Sequence, residues 1–313
     1  MMNKDKTKHI LSGELQKRNR FSWNHIENPS YDEIDAICSE YGIPDDFIRD
    51  PLDKDERSRI EIENDSLLII IRVPLKNRDA EIPFVTVPLG IVLPKKGNTV
   101  LTISGDESLV KHVIKIRQRN CEDDSALHFV FNLLYKIAIL YLSDLKSING
   151  LISEYENHLR KSMRNQELIR LFNLEKSLVY FTTSLKSNEM MLEKIRTVRQ
   201  YRNILNDDDD LEILDDIIIE YKQALETSMI YSNVLSGMMD AFASVISNNL
   251  NQVMKFLTSF AIVLTIPIML SGIYGMNVAL PLQHNPHAFS LLMLSSLVLS
   301  GLTAMIFVWK KWF

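Results

Sequence analysis

The sequence predicts a helical membrane protein: an α+β domain, then a long α-helical stalk, then two C-terminal transmembrane helices. Three observations carry this. From Phe256 to Trp309 there is no Asp, Glu, Lys or Arg, and one charge at the centre of a bilayer costs at least ~2.5–3.5 kcal/mol. Upstream, between Ser125 and Ile266, apolar residues recur every three or four positions with no proline. Earlier still, short Ile- and Val-rich runs alternate with turn signals. Bulk composition hides these contrasts: the 313 residues are 46% hydrophobic and 24% charged, with a net charge of −5. That length suits one sizeable soluble domain plus a small membrane part.

Met1 to Ile10 is polar and lysine-rich with no apolar stretch behind it, so no signal peptide is expected. Tyr31 to Tyr41 has helical spacing (Ile34, Ile37, Tyr41) and stops at Gly42. Strands are expected over Arg59 to Glu63, Leu67 to Pro74, Val85 to Leu93 and Thr99 to Ser104. They are broken by Asn64-Asp65, by Pro74 and by Lys95-Lys96-Gly97-Asn98. Such short strands imply a mostly antiparallel or mixed sheet flanked by helices, and residues 1–124 form this α/β domain. Cys38 and Cys121 lie far apart in ordinary sequence, so they read as thiols in a reducing compartment, not a disulfide. The basic run Lys111 to Arg119 reads as the solvated face of an amphipathic helix. With the modest net acidity, it gives no case for a nucleic-acid partner.

Ser125 to Met163 and Asn165 to Leu205 are two long amphipathic helices, predicted as an antiparallel hairpin or coiled coil. Asp207 to Asp210 breaks the second, as a solvated turn capping the next helix. From Leu211 the amphipathic pattern passes into the apolar stretch without interruption. A helix from Leu211 to Tyr274 would be roughly 95 Å long, of which a membrane takes only ~30 Å. One helix therefore serves as stalk and first span, and residues 125–255 hold the long helices and stalk.

The first span covers residues 256–274 and the second 288–308, each close to the ~20 residues that one crossing needs. Between them, residues 275–287 form a short loop containing Pro281 and Pro286. Lys255 precedes the first span; Lys310 and Lys311, in the basic tail 309–313, follow the second. The positive-inside rule then places both termini in the cytoplasm and the loop outside. Trp309 and Trp312 suit interfacial anchors. The expected location is the cell (plasma) membrane, as a multi-pass protein with a cytoplasmic α+β domain.

Steps of three and four along the stalk and first span pick out Gly237, Asp240, Ser244, Ser247, Asn251, Met254, Thr258, Ala261, Thr265, Ile268 and Gly272. Most are small or polar. Small residues in membrane helices can simply permit close packing. A water-filled pore on an oligomer axis explains more, because the polar seam continues below the membrane. Met254 and nearby Leu257 would form a dewetting constriction in it. Phe256, Phe260 and Val263 lie on the other side, facing lipid or the second span. With two spans per chain, a central pore needs several subunits.

Immediately after the first span stands Tyr274-Gly275-Met276-Asn277, preceded by Asn251 to Thr258 and Pro267 and followed by a second span and a lysine-rich end. Together with Val234 to Asp240, this resembles the CorA family of magnesium transporters, specifically over Asp215 to Phe313 and in element order over the whole chain. The resemblance implies a homopentamer with five first spans lining the pore. Gly275, Met276 and Asn277 would form the selectivity filter, and Asn277 would ring the outer mouth. Asn251 would ring the inner end, Met254 and Leu257 the gate, and Asp240 the cytoplasmic pore. Asp216 matches the family's regulatory aspartate, with Asp79 of a neighbouring subunit as its candidate partner. Mg2+ would be both cargo and regulator. Two departures stand out: Ile268 occupies a level where a threonine is common, and the loop from Val278 to His287 has no carboxylate, leaving amides, carbonyls, His284 and His287.

The chemistry is consistent, since Mg2+ dehydrates reluctantly and neutral amide oxygens can accept hydrogen bonds from its waters. No nucleotide motif appears, so influx would be driven by the membrane potential. Zinc transporters of the ZntB type share the architecture, so zinc, cobalt or nickel is the alternative cargo. No catalytic constellation is visible, and the chain is not expected to be an enzyme.

Overall fold

A computed structural model describes residues 10–12, 21–77, 80–95, 98–106, 109, 125–162, 165–202, 208–282, 285–310 and 312. The chain divides into two compact units, Met1–Ser236 and Gly237–Phe313.

Among the described residues the first unit is built on six strands: β1 (Ile10–Ser12), β2 (Ser22–Glu27), β3 (Arg59–Glu63), β4 (Ser66–Lys76), β5 (Phe84–Leu93) and β6 (Thr99–Ser104). Their order is β1-β2-β6-β5-β4-β3. Only β2 and β6 run parallel, so the sheet is mixed. Asn64 and Asp65 form the tight β3–β4 turn with φ of 52° and 58°, the left-handed backbone that a two-residue hairpin needs. β4 is buried from Ser66 to Leu75 except at Arg72, because helices cover both faces of the sheet. On one face α1 (Tyr31–Tyr41) and α2 (Asp46–Arg49) pack Ile34, Ile37 and Phe47 against Leu68, Ile70, Val92 and Leu101. α1 ends as expected at Gly42, φ 67°, whose amide donates to the Cys38 carbonyl. The one-turn helix Asp50–Leu52 then lies so close over β5 that a Cβ on Gly90 would sit 2.4 Å from Pro51 Cγ.

The other face carries α3 (Ala126–Ser162) and α4 (Asn165–Thr197). Phe181 of α4 meets Phe84 of β5 and Tyr141 of α3 edge-on, with centroids 6.1 and 5.0 Å away. A polar clasp adds direction to this apolar layer. The Asn188 amide accepts from Arg72 N–H and donates to the Arg72 carbonyl, which also accepts from Tyr141 Oη. α3 is long and apolar enough to cross a membrane, but half of its most apolar stretch is buried; it is a core helix. α4 stops at Thr197 and a short α5 (Arg199–Arg202) follows, earlier than the expected Leu205.

α6 (Asp208–Tyr274) is one helix of 67 residues. Its first part belongs to the first unit, where Tyr221 Oη donates to the Leu134 carbonyl at 3.1 Å. Asp208 to Asp210, expected in a solvated turn, instead form the first turn of α6: Asp208 and Asp209 are exposed, whereas Asp210 is buried and 3.0 Å from His128 Nε2. Cys38 is a free, half-buried thiol; burial with Asp45 and Asp35 nearby raises its pKa. Cys121 and the run from Lys111 to Arg119 lie outside the described residues.

Strands β1 and β2 were not foreseen. β2 buries Trp23, His25 and Ile26. His25 Nδ1 lies 2.8 Å from Thr102 Oγ1, which also accepts from Trp23 Nε1 at 3.0 Å, while His25 Nε2 has no hydrogen-bond partner among the described residues. Burial lowers the His25 pKa from 6.5 to about 4. The unfolded chain therefore takes up a proton near pH 6.5 that the folded chain refuses until pH 4. Stability is full above 6.5 and falls as pH drops through that window, by up to about 3 kcal/mol. Thermal unfolding of the purified protein should show this acid loss, and His25→Gln should flatten it. An unchanged slope would assign the loss to other groups.

Candidate ion pathway and metal-sensing residues

The second unit holds the rest of α6 and α7 (Ala288–Trp309), a helix of 22 residues. Both are long and apolar enough to cross a membrane, and only 6% of their most apolar stretches is buried. Where the two helices meet is fixed by chemistry at one proline. Pro267 lies inside α6 and has no N–H for the carbonyl four residues back. That carbonyl belongs to Val263, and Ser300 Oγ of α7 donates to it at 3.3 Å. Around this bond Ser259 and Ser296 are buried and Val263, Ile266, Pro267 and Leu270 half-buried.

The predicted seam lies elsewhere on the helix. Asp240, Asn251, Met254, Leu257, Thr258, Ala261, Thr265, Ile268 and Gly272 are all exposed, Met254 at 51% and Ile268 at 69%. At 3.6 residues per turn the seam is centred roughly 150° from the face that meets α7. Of the three residues left between lipid and second span, Val263 contacts α7 through its carbonyl. Phe256 and Phe260 stay half-exposed and stack at 6.4 Å. Thr265 Oγ1 donates back to the Ala261 carbonyl, so its hydroxyl oxygen is left on the seam as an acceptor.

α6 ends at Tyr274, where the Gly275 amide closes on the Ser271 carbonyl at 2.9 Å. Gly275 stops the helix without the left-handed backbone of the usual glycine cap; among described glycines only Gly42 has a positive φ. Gly275, Met276 and Asn277 are exposed beyond that end. Tyr274 Oη donates to the Pro281 carbonyl at 3.2 Å, which ties the two ends of Gly275–Leu280 together. Asn285 Oδ1 accepts from the His287 amide at the start of α7. His287 is exposed, and His284 lies outside the described residues.

In the stalk, Asp216 is exposed. Its surroundings are less acidic than expected, because Asp215 pairs with Arg196 at 3.2 Å and Asp210 with His128. Asp79 lies outside the described residues. Among described residues no group of three or more His, Cys, Asp or Glu could hold a metal ion within one chain, so a site at Asp216 needs ligands from elsewhere. Sequence reasoning missed Ser300 and Tyr274. A proline inside an apolar span calls for a donor to the freed carbonyl, and serines in the second span were the available signal.

Residues 18–311 match the family model described as CorA-like Mg2+ transporter protein. The cobalt/magnesium transport protein CorA of Methanocaldococcus jannaschii is 29% identical, over 94% of this chain and 92% of that one. The solved structure described as the complete CorA magnesium transporter from the same organism superposes with a TM-score of 0.80, over 94% of this chain and 92% of that one. The cobalt/magnesium transport protein CorA of Thermotoga maritima is 21% identical over 79% of this chain and 70% of its own length.

Proposed function

Because this chain belongs to the CorA-like Mg2+ transporter family, we propose that it is one subunit of a homopentameric divalent-cation channel in the cell membrane, with Mg2+ as its cargo. The observation that carries this reading is the exposed seam of α6, which faces away from α7 and leads to Gly275-Met276-Asn277. A helix face that is polar at Asn251, Thr258 and Thr265 is costly against lipid and suits a wet axis shared by several copies. Both termini are cytoplasmic and the Gly275–His287 loop faces out. Transport needs no catalysis: a divalent ion gains about 4.6 kcal/mol on entry at 100 mV.

The test is flux into liposomes holding only this protein, with Mg2+, Co2+ and Zn2+ compared under an inside-negative potential. Mg2+ and Co2+ should enter. Entry of Zn2+ in preference to both would favour the zinc alternative, and no flux of any divalent ion would overturn the proposal.

Gating is assigned to cytoplasmic Mg2+ at Asp216. Five exposed copies of Asp216 brought together repel, and a cation bridging to a neighbour's α/β domain, with Asp79 as candidate ligand, stabilises the closed arrangement. The ion shifts this equilibrium only by its differential affinity for the two states. Currents recorded while cytoplasmic Mg2+ is stepped should show that Asp216→Lys blunts closure and leaves block at the outer mouth unaltered. Closure over the wild-type Mg2+ range would place the sensor elsewhere.

A further inference from the structure

We infer that a cleft in the first unit, between α4 and the β3 edge of the sheet, binds a polyphosphate anion of the nucleoside triphosphate class. The cleft has a volume of about 730 Å3, within the ~300–1,000 Å3 of small-molecule sites. Its charge is one-sided: Arg57, Arg59, Arg72, Lys186 and Lys194 line it, against the single carboxylate of Asp55. Arg59 is compensated by Asp50, Glu56 and Glu61. The other four cations pair with no carboxylate among the described residues. Glu189 and Glu193, nearby on α4, are committed to Lys222 and Arg196.

Arg72 shows most clearly what the cleft lacks. Its Nε donates to Thr86 Oγ1, Nη1 to the carbonyls of Lys54 and Glu56, and Nη2 to the Thr86 carbonyl. Every acceptor is neutral, so the half-buried guanidinium is fixed in place with its charge uncancelled. The Asn188 and Tyr141 bonds to its main chain hold that position from behind. A cleft lined by one sign of charge concentrates its field and draws counter-ions in. Guanidinium forks and ammonium groups are the side chains that hold phosphate oxygens.

A second feature narrows the class. Tyr180 and Met190 line the same cleft and are 44% and 64% exposed. With Thr183, Ser187 and Lys194 they recur at three- and four-residue steps and so share one face of α4. Lys194 Nζ lies 4.9 Å over the Tyr201 ring, a contact that leaves its charge uncancelled. An open Tyr180 ring beside four cations that pair with no carboxylate among the described residues suits a ligand with several negative charges and a planar base to stack. Inorganic phosphate alone would leave the ring unused.

The experiment uses the purified full-length oligomer and measures equilibrium binding of ATP at constant Mg2+, with tripolyphosphate and adenosine as competitors. ATP should bind saturably, tripolyphosphate should compete and adenosine should not. The double variant Arg57→Ala/Lys194→Ala changes two exposed residues and should weaken ATP about tenfold or more. Tyr180→Ala should weaken ATP while sparing tripolyphosphate. No saturable ATP binding at millimolar concentration, or affinity within twofold in the double variant, would overturn the site. Equal affinities for ATP and tripolyphosphate would overturn its nucleoside part. Neither readout depends on transport, so the site stands or falls apart from the proposed channel.

Discussion

Asn277→Ala should abolish Mg2+ uptake while leaving the oligomer assembled. Asn277 is exposed just past the end of α6. On a symmetric axis its amide oxygens would accept hydrogen bonds from the waters of an incoming Mg2+ without stripping them. Mg2+ gives up water reluctantly, so a mouth that grips the hydration shell captures the ion at little cost. Each lost acceptor is worth ~0.5–1.5 kcal/mol, so removing a whole ring lowers capture by ~100-fold or more. Uptake assays at submillimolar Mg2+, paired with the mass of the solubilised complex, read both halves of the expectation. Near-normal flux from an assembled Asn277→Ala oligomer would remove Asn277 from selectivity.

The second large effect is expected at Met254. It is 51% exposed and Leu257 57% exposed on the same side of α6, with Asn251 below and Thr258 above. A ring of such side chains holds a narrow pore dry, because water in an apolar constriction gives up hydrogen bonds it cannot replace. Met254→Asp places charge in that ring and wets it. The variant should leak cations at high cytoplasmic Mg2+, the condition in which the proposed gate closes, and cells expressing it should tolerate less external Mg2+. Resting conductance equal to wild type would move the gate elsewhere.

Local signals in the sequence carried most of the architecture. The charge-free stretch, the unbroken periodicity before it and the Ile-rich runs broken by Asn64-Asp65 each report on near neighbours, and the α1, β3, β5, β6, α3 and α6 elements stand close to where those signals put them. Pro74, expected to end its strand, instead lies inside β4, which runs on to Lys76 with Pro74 paired to Thr86. Non-local pairings were not legible. β2 reads Ser-Trp-Asn-His-Ile-Glu, too polar to suggest a strand, and its parallel partner β6 begins at Thr99. Asp210 looked like one more solvated aspartate because its partner, His128, lies 82 positions earlier. The basic cleft is hidden for the same reason, since Arg57 and Arg72 meet Lys194 only once α4 lies on the sheet. The seam on α6 was visible as periodicity, but which side met the second span was not. That depended on one serine in α7.

The Ser300–Val263 bond also bears on how this hairpin is made. In hydrocarbon, an unsatisfied carbonyl costs several kcal/mol. α6 inserted alone would carry that burden at Val263 for as long as α7 remained outside the bilayer. Once α7 arrives, Ser300 supplies the missing donor at 3.3 Å. The bond therefore favours entry of the two helices as a pair, and it gives the short Gly275–His287 connection a use during biosynthesis. Ser300→Ala would then lower the yield of correctly inserted protein before it changed any property of an open pore.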